Sequence, residues 1–348
     1  MGSVLSSIDA AKAREGRYNA LSMGGVAIIG AAGFLGGHFL RGFEARGAVV
    51  LPVVRAVDAR SPARARTLAD VVEHPELLQD FELVVHAAAG RDDETAGARS
   101  ADVERVEQAM RAASAAHARR FVLVSSTVVY GFPARLPVTE GHPYAPRTAQ
   151  AAGKVEVEMR ARRAARELGL PLVIVRPTGV YGPGARRGLV DRVASALQLG
   201  VAVGPGDNAV HLTHVDDVVE GAWLASTHAQ AAGDDFILAG PEVTTLGELT
   251  ERIARAMDRP PPSVRVPSSL ARAVATVVDV AANRGVALGR DPRRFGNAKL
   301  DAFTLSIAFD GAKARDRLGF VPRVGYGEGL ARTLRGEWPG VARAGAPE

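Results

Sequence analysis

The sequence predicts an α/β fold, a doubly wound parallel sheet followed by a smaller C-terminal lobe. Three observations predict it. Short apolar, β-branched runs alternate with helical stretches from Gly24 to about residue 185, as strands do when crossover helices bury both faces of a sheet. A glycine-spaced segment, GAAGFLG (30–36), lies between the first strand and the first helix and makes the sheet Rossmann-type. Beyond residue 185 the alternation loosens, and Pro/Gly-rich segments such as GPGDN (204–208) and RPPPS (259–263) appear.

Taken in order, GGVAIIG (24–30) reads as a buried parallel strand closed by glycine. GFLGGHFLRGFEARG (33–47) has helical spacing that sets Phe34, Leu35, Phe39, Leu40 and Phe43 mostly on one face. AVVLPVVR (48–55) is a second strand, in which Pro52 requires an edge, a strand end or a bulge. FELVVHAAAG (81–90) is a strand with its exit loop, and DVERVEQAMRAASAAHA (102–118) an amphipathic helix. RFVLVSSTVVYG (120–131) is a strand ending in hydroxyls. AQAAGKVEVEMRARRAARELG (149–169) is a long helix that Gly169 ends, and LPLVIVRPTGVYGPG (170–184) is a strand broken at Pro177. The expected domains are a dinucleotide-binding domain over 24–185, rejoined by 208–240, and a substrate-binding lobe from 186–207 and 241–338. Residues 1–23 read as a flexible leader without a signal peptide's apolar stretch, and 339–348 as a tail.

Composition narrows the function classes. The 348-residue chain is 47% hydrophobic and 23% charged, ordinary for a globular protein able to bury a large core. It has no cysteine, which excludes disulfides and thiolate metal sites and is compatible with a cytoplasmic location; no metal is expected. The net charge is +5, but the arginines are scattered without interleaved aromatics, so no nucleic-acid partner is expected. No apolar run reaches the roughly 18–20 residues that span a bilayer, so no stable membrane insertion is expected either.

The glycine loop carries the first chemistry. Gly30 allows the tight turn, Gly33 lets backbone N–H groups approach a pyrophosphate at the helix N-terminus, and Gly36 permits close helix–strand packing. The second strand ends in Val54 followed by Arg55, where an Asp would bind the ribose hydroxyls of NAD. A cation there suits a 2′-phosphate, so NADP is the expected cofactor, with NAD the alternative. Asp70, in TLAD, is placed either to accept from an adenine amino group or to cap the VVEHPELL segment.

With these residues the chain resembles the extended short-chain dehydrogenase/reductases, the NAD(P)-dependent epimerase/dehydratase group, in its hydroxysteroid-dehydrogenase-like branch. The resemblance runs from Gly24 to about Leu334 and rests on an ordered set of motifs: GAAGFLG, HAAA (86–89), VSSTVVYG (124–131), RPTGVYGPG (176–184), HVDDVVEGA (214–222) and FDGAKARDRLGFVP (309–322). It implies cofactor contacts from Gly30, Gly33, Phe34, Leu35, Gly36, Ala87, Ala88, Pro177 and Thr178. It also implies a catalytic hydroxyl at Ser126, a ribose-holding Lys154, and substrate contacts from Ser126, Thr127 and Tyr181. His214 is implied as a structural hydrogen-bonding residue between the lobes.

The resemblance breaks at one catalytic position. Glu140, Pro143, Pro146, Lys154 and Glu158 keep the family's spacing, and the tyrosine's place is then Gln150. A second departure is Asp102, where the family usually has Asn. A phenol beside an ammonium can exchange a proton near neutral pH, whereas a primary amide can only hydrogen-bond. Only four of the 43 Lys and Arg residues are lysines, yet position 154 keeps one. Substitute donors are Tyr144, folding inward from HPYAP, or water relayed by Ser126 or Thr127; His142 reads as a loop residue.

Substrate clues come from the second lobe. Nucleotide-sugar members usually place an arginine four residues before the histidine of HVDD, and here that position is Val210. The Ala/Val-rich segment 266–288 resembles the pocket-covering helix of hydroxysteroid-dehydrogenase-like members. The leading expectation is an NADP-dependent carbonyl reductase or alcohol dehydrogenase with a non-standard proton donor. Its substrate would be a hydrophobic small molecule, such as a lipid, isoprenoid, quinone or polyketide intermediate of secondary metabolism. The alternatives are a non-redox isomerase, cyclase or dehydratase on the same fold, and a non-catalytic NADP-sensing protein. The resemblance also allows a homodimer through the 149–169 helix.

Overall fold

The computed structural model describes residues 24–58, 61–62, 64–88, 96–186, 188–273, 276 and 297–335. The expected leader, the tail and most of the 266–288 helix lie outside the described residues.

Seven strands form one sheet: β1 (Val26–Ile29), β2 (Val50–Val54), β3 (Arg66–Thr67), β4 (Leu83–His86), β5 (Arg120–Val124), β6 (Leu172–Pro177) and β7 (Asp235–Leu238). All pairings are parallel, and the order is β7-β6-β5-β4-β1-β2-β3. From β1 the chain winds first through β2 and β3, then crosses back to β4 and continues the other way. The reversal between β1 and β4 opens a crevice at the strands' C-terminal ends, where such sheets hold ligands.

The alternation of side chains along each strand divides the core into two layers. On one face Val26, Ile28, Val85, Val122 and Val175 pack with α1 (Phe34–Glu44), α6 (Val215–Thr227) and α9 (Ala312–Leu318). On the other, Ala27, Ile29, Val84, Phe121 and Ile174 pack with α2 (Leu68–Glu73), α3 (Ala96–Ala115) and α4 (Ala149–Leu168). Of the apolar face expected on α1, Phe39, Leu40 and Phe43 are buried and Phe34 and Leu35 half-buried; each full burial contributes roughly 1.5–3 kcal/mol. Gly169 ends α4 in the left-handed conformation, with φ 64°.

Two boundaries and one added short strand differ from the sequence expectation. Helix α3 starts at Ala96 and ends at Ala115; its first turns, AGARSA, are mostly small residues that continue the helix without a periodic hydrophobic signal. TVVY (127–130) leaves the sheet as a 3-10 turn, N-capped by Ser126. Among the described residues, the two-residue strand β3 pairs only with Val53 and Val54, so Pro52 sits on the part of β2 that β3 does not reach. That placement supplies the open side a proline needs.

A separate apolar cluster joins α5 (Leu189–Gln198), α7 (Leu246–Ala256), α8 (Asn297–Thr304) and α10 (Tyr326–Arg335) through Val193, Leu197, Leu249, Ile253, Phe303 and Leu330. Among the described residues, no helix is long and apolar enough to cross a membrane.

Candidate functional site

The glycine loop is shaped by close backbone approaches. Gly30 has φ 90°, and a Cβ there would lie 2.7 Å from the backbone nitrogen of Ala88. A Cβ on Gly36 would come within 2.0 Å of the Gly30 carbonyl oxygen, so α1 can approach the strand only with glycine at 36. Gly33 is the N-cap of α1 and supplies no side-chain cap, which leaves first-turn N–H groups, including those of Phe34 and Leu35, available to an anion. The Gly30 amide donates to Val53 O at 2.8 Å and the Ala87 amide to Ile29 O at 2.8 Å, which fix both walls of the crevice. This cradle fits a pyrophosphate.

At the far side of the cradle, Arg55 is exposed immediately after β2. Asp70 is not an N-cap but the third residue of α2. Its carboxylate accepts from the Thr67 amide at 2.8 Å while its own amide donates to Thr67 Oγ1 at 3.0 Å, a reciprocal capping box. Those bonds hold the Asp70 carboxyl below its usual value. The capping role expected as one alternative is therefore filled, one turn away from where the sequence suggested it.

Of the residues expected to act on substrate, Ser126 and Thr127 follow β5 directly, and Gln150 and Lys154 stand on the first turns of α4. Ser126 is half-buried, and its Oγ accepts from the Val128 amide at 3.4 Å. Thr127 is buried and donates to Pro177 O at 3.3 Å, which ties the β5 exit to the β6 exit. Val129 and Tyr130 of the following turn pack with Val155, beside Lys154. Helix α4 is capped by Thr148, whose hydroxyl accepts from the Ala151 amide at 3.0 Å. Gln150 is exposed in its first turn, and Lys154 half-buried one turn on. Burial pushes the Lys154 ammonium pKa down, partly opposed by the charges of Asp102 and Glu158.

Tyr144 does not fold over this edge as expected. Its hydroxyl donates to Glu158 Oε2 at 2.6 Å and accepts from Arg176 Nη2 at 3.0 Å. Burial and the Glu158 carboxylate push its pKa up, so the residue belongs to a buried cluster. At its centre Arg176, 1% exposed, donates Nε and Nη2 to the two oxygens of Glu158 at 2.9 and 2.6 Å. Its Nη1 donates to Tyr130 Oη at 2.6 Å and to Asp235. Burial alone would raise the Glu158 pKa, but the guanidinium outweighs it and holds the carboxyl low. Sequence reading missed this cluster; its signal was a lone arginine inside the apolar run LVIVRP.

Two further expectations are relocated. The Thr178 hydroxyl lies 2.7 Å from that of Thr213, which in turn donates to Leu238 O at 2.9 Å, so that side chain is committed to the core. Tyr181, 2% exposed, stacks on Tyr326 and lines a cavity of about 500 Å³ with Asp191, Ser195, Gln198 and Arg259. None of Ser126, Gln150 and Lys154 lines that cavity. His214 caps α6 by accepting from the Asp216 amide at 3.2 Å. His86, at the end of β4, is buried, and neither ring nitrogen is hydrogen-bonded to a described residue. Burial and the nearby Lys154 charge lower its pKa to about 4. Among the described residues, no group of three or more His, Cys, Asp or Glu is arranged to hold a metal.

Comparison with known proteins agrees with this architecture. The model of the NAD dependent epimerase/dehydratase family matches residues 26–239, and the chain belongs to that family. It is 27% identical over 231 residues to the 3beta-hydroxysteroid-dehydrogenase/decarboxylase isoform 1 of Arabidopsis thaliana, covering 62% of this chain and 52% of the relative. The chain thus spans about half the length of that relative. A dTDP-glucose 4,6-dehydratase of Streptomyces antibioticus is 27% identical over 336 residues, covering 88% of this chain and 90% of the relative. Among solved structures, gox2253 superposes with a TM-score of 0.72 at 24% identity, covering 89% of this chain and 97% of that one. UDP-glucuronic acid 4-epimerase from Bacillus cereus, in complex with NAD, gives 0.69 at 18%, covering 89% and 97%. At these identities the structures show a shared fold.

Proposed function

Within that family, we propose that this chain is a nicotinamide-dinucleotide-dependent reductase of a hydrophobic carbonyl compound, or the reverse alcohol dehydrogenase. The observation that carries the reading is the coincidence at one sheet edge of the Gly30–Gly36 cradle with Ser126 and Lys154. Phe34, Leu35 and Gly36 would supply amides to the pyrophosphate, and the Ala87–Ala88 backbone would border the ribose. Arg55 favours a 2′-phosphate and hence NADP, although several structural neighbours were solved with NAD. A bound nicotinamide supplies hydride to a carbonyl carbon or takes it from an alcohol. Ser126 and the Gln150 amide would then hydrogen-bond the substrate oxygen, and Lys154 would hold the nicotinamide ribose.

Val210 supports an apolar substrate over a nucleotide sugar. It is 2% exposed and part of the second lobe's apolar cluster, at the place where the resemblance implies a diphosphate-binding arginine in sugar enzymes. Two relatives of nearly full coverage act on nucleotide sugars by name, dTDP-glucose 4,6-dehydratase and UDP-glucose 4-epimerase, so the comparison is direct.

The test is titration with NADPH and NADH, followed by NADPH oxidation across hydrophobic ketones, quinones and enones, with UDP- and dTDP-sugars alongside. Tighter NADPH binding and oxidation by an apolar carbonyl are expected. Turnover of a nucleotide sugar alone would refute the substrate assignment. Product formation without added dinucleotide would favour a non-redox isomerase or dehydratase, the reading that Gln150 itself suggests.

A further inference from the structure

The proton donors at the cofactor edge can be judged by their partners. Tyr144 and Tyr130 give their oxygens to the Glu158–Arg176 cluster, and burial holds both pKa values up. His86 is buried as a neutral imidazole. Ser126, Thr127 and Gln150 do not titrate in the useful range. Lys154 is left. It is half-buried, lies four residues after Gln150 and so on the same helix face, and its Nζ makes no hydrogen bond or ion pair with the described residues.

Helix α3 brings a carboxylate to it. Helices α3 and α4 run side by side in the same direction, and three contacts fix their register. A Cβ on Gly153 would lie 3.3 Å from Arg99 Cγ, Arg160 pairs with Glu107 at 2.9 Å, and Ser114 Oγ reaches Leu168 O at 3.5 Å. One turn beyond Arg99, this register turns Asp102 toward Lys154, on which its charge acts. Asp102 is held by Arg105 at 2.5 Å. The charged and titratable groups around Lys154 are thus Arg99, Asp102 and Arg105 from α3, Glu158 from α4 and His86 from β4; the turn after β5 contributes the hydroxyls of Ser126 and Thr127 and, packed on Val155, Tyr130.

We propose that Lys154 is itself the proton donor of this site, replacing the phenol absent at 150, and that Asp102 holds it in the ammonium form. The inference rests on the reductase reading above. In reduction, hydride addition at the carbonyl carbon leaves an electron pair on oxygen; that pair takes a proton from Lys154 as the N–H bond breaks and its electrons remain on nitrogen. The neutral amine regains a proton from water. The two departures from the family pattern are then complementary, a lost acid at 150 and a gained carboxylate at 102.

The test needs no turnover at its first stage. The four lysines are few enough to resolve individually after reductive ¹³C-methylation, with Lys154→Arg assigning the signal. Lys154 is expected to titrate below the others, and Asp102→Asn to lower it further, by on the order of one unit. At the second stage the limb of kcat that falls with rising pH should move down by the same amount in Asp102→Asn. Lys154→Arg, which keeps the charge but cannot release a proton, should lose about 10²-fold in kcat while NADPH affinity changes only a few-fold. NADPH oxidation with an unmoved limb, or an active Lys154→Arg, overturns the role of Lys154 and leaves the reductase reading standing. The expected titration without any turnover overturns that reading, and the donor role with it.

Discussion

Two successive turns of α4 treat their polar side chains in opposite ways. At the inner turn Glu158 is fully buried, and every strong partner it needs is present: three hydrogen bonds arrive from Arg176 and Tyr144. At the outer turn Lys154 is half-buried and its ammonium is not consumed by any described neighbour. The spacing of four residues puts both on one face, so helix geometry does not distinguish them. What differs is saturation. A buried charge whose partners are complete holds the architecture together, whereas one near a crevice, steadied by a neighbouring charge but hydrogen-bonded to no described residue, keeps its proton for a ligand.

The largest effect should come from breaking the saturated turn. Arg176→Met leaves the buried Glu158 carboxylate without its guanidinium and should cost about 3–5 kcal/mol in urea unfolding. A loss under about 1 kcal/mol would mean that the cluster behaves like a surface pair and that the contrast is false. Next, Gln150→Tyr on the exposed first turn of α4 should raise kcat for the proposed carbonyl substrate by about 10²-fold with little change in Tm, because it adds an acid at a solvent-exposed helix position. A large Tm change without a gain in rate would place Gln150 in the framework instead.

The smallest effect is acid sensitivity, which sharpens the same contrast. His38, His86 and His214 are buried and neutral, each with its pKa lowered by burial from 6.5 to about 4. The unfolded chain binds these protons first, so stability present above pH 6.5 is lost as pH falls toward 4. The Glu158 carboxyl, held low, keeps its contribution until more acidic pH. His86→Phe should therefore remove about 2 kcal/mol of the stability difference between pH 6.5 and 4.5, measured by urea midpoints at both values. An unchanged difference would show that His86 gains no proton on unfolding in that window.

Much of this was legible in sequence because it is local. VAII, LVVH and LVIVRP announce buried parallel strands through unbroken apolar runs, and a glycine triplet between strand and helix has few structural uses. The Gln150 departure was legible because Lys154 and Glu158 fixed its frame. What escaped was set by pairing across the fold. Nothing local tells Tyr144 to turn toward Arg176, or Thr178 toward Thr213, since those partners come from other strands and loops. The two-residue strand β3 and the 3-10 turn after Ser126 are likewise decided by what they dock on, too short for any periodicity to show.

The contact between Gly30 and Ala88 reaches beyond steric fit. It joins the first loop of the winding to the first loop after the reversal, segments far apart in the chain, with no room between them for a side chain. Neither loop alone makes the cradle, which exists only once β4 has docked beside β1. A dinucleotide lying there would act as a clasp across the midline of the sheet, and its binding free energy would add to the stability of the whole domain rather than to one loop.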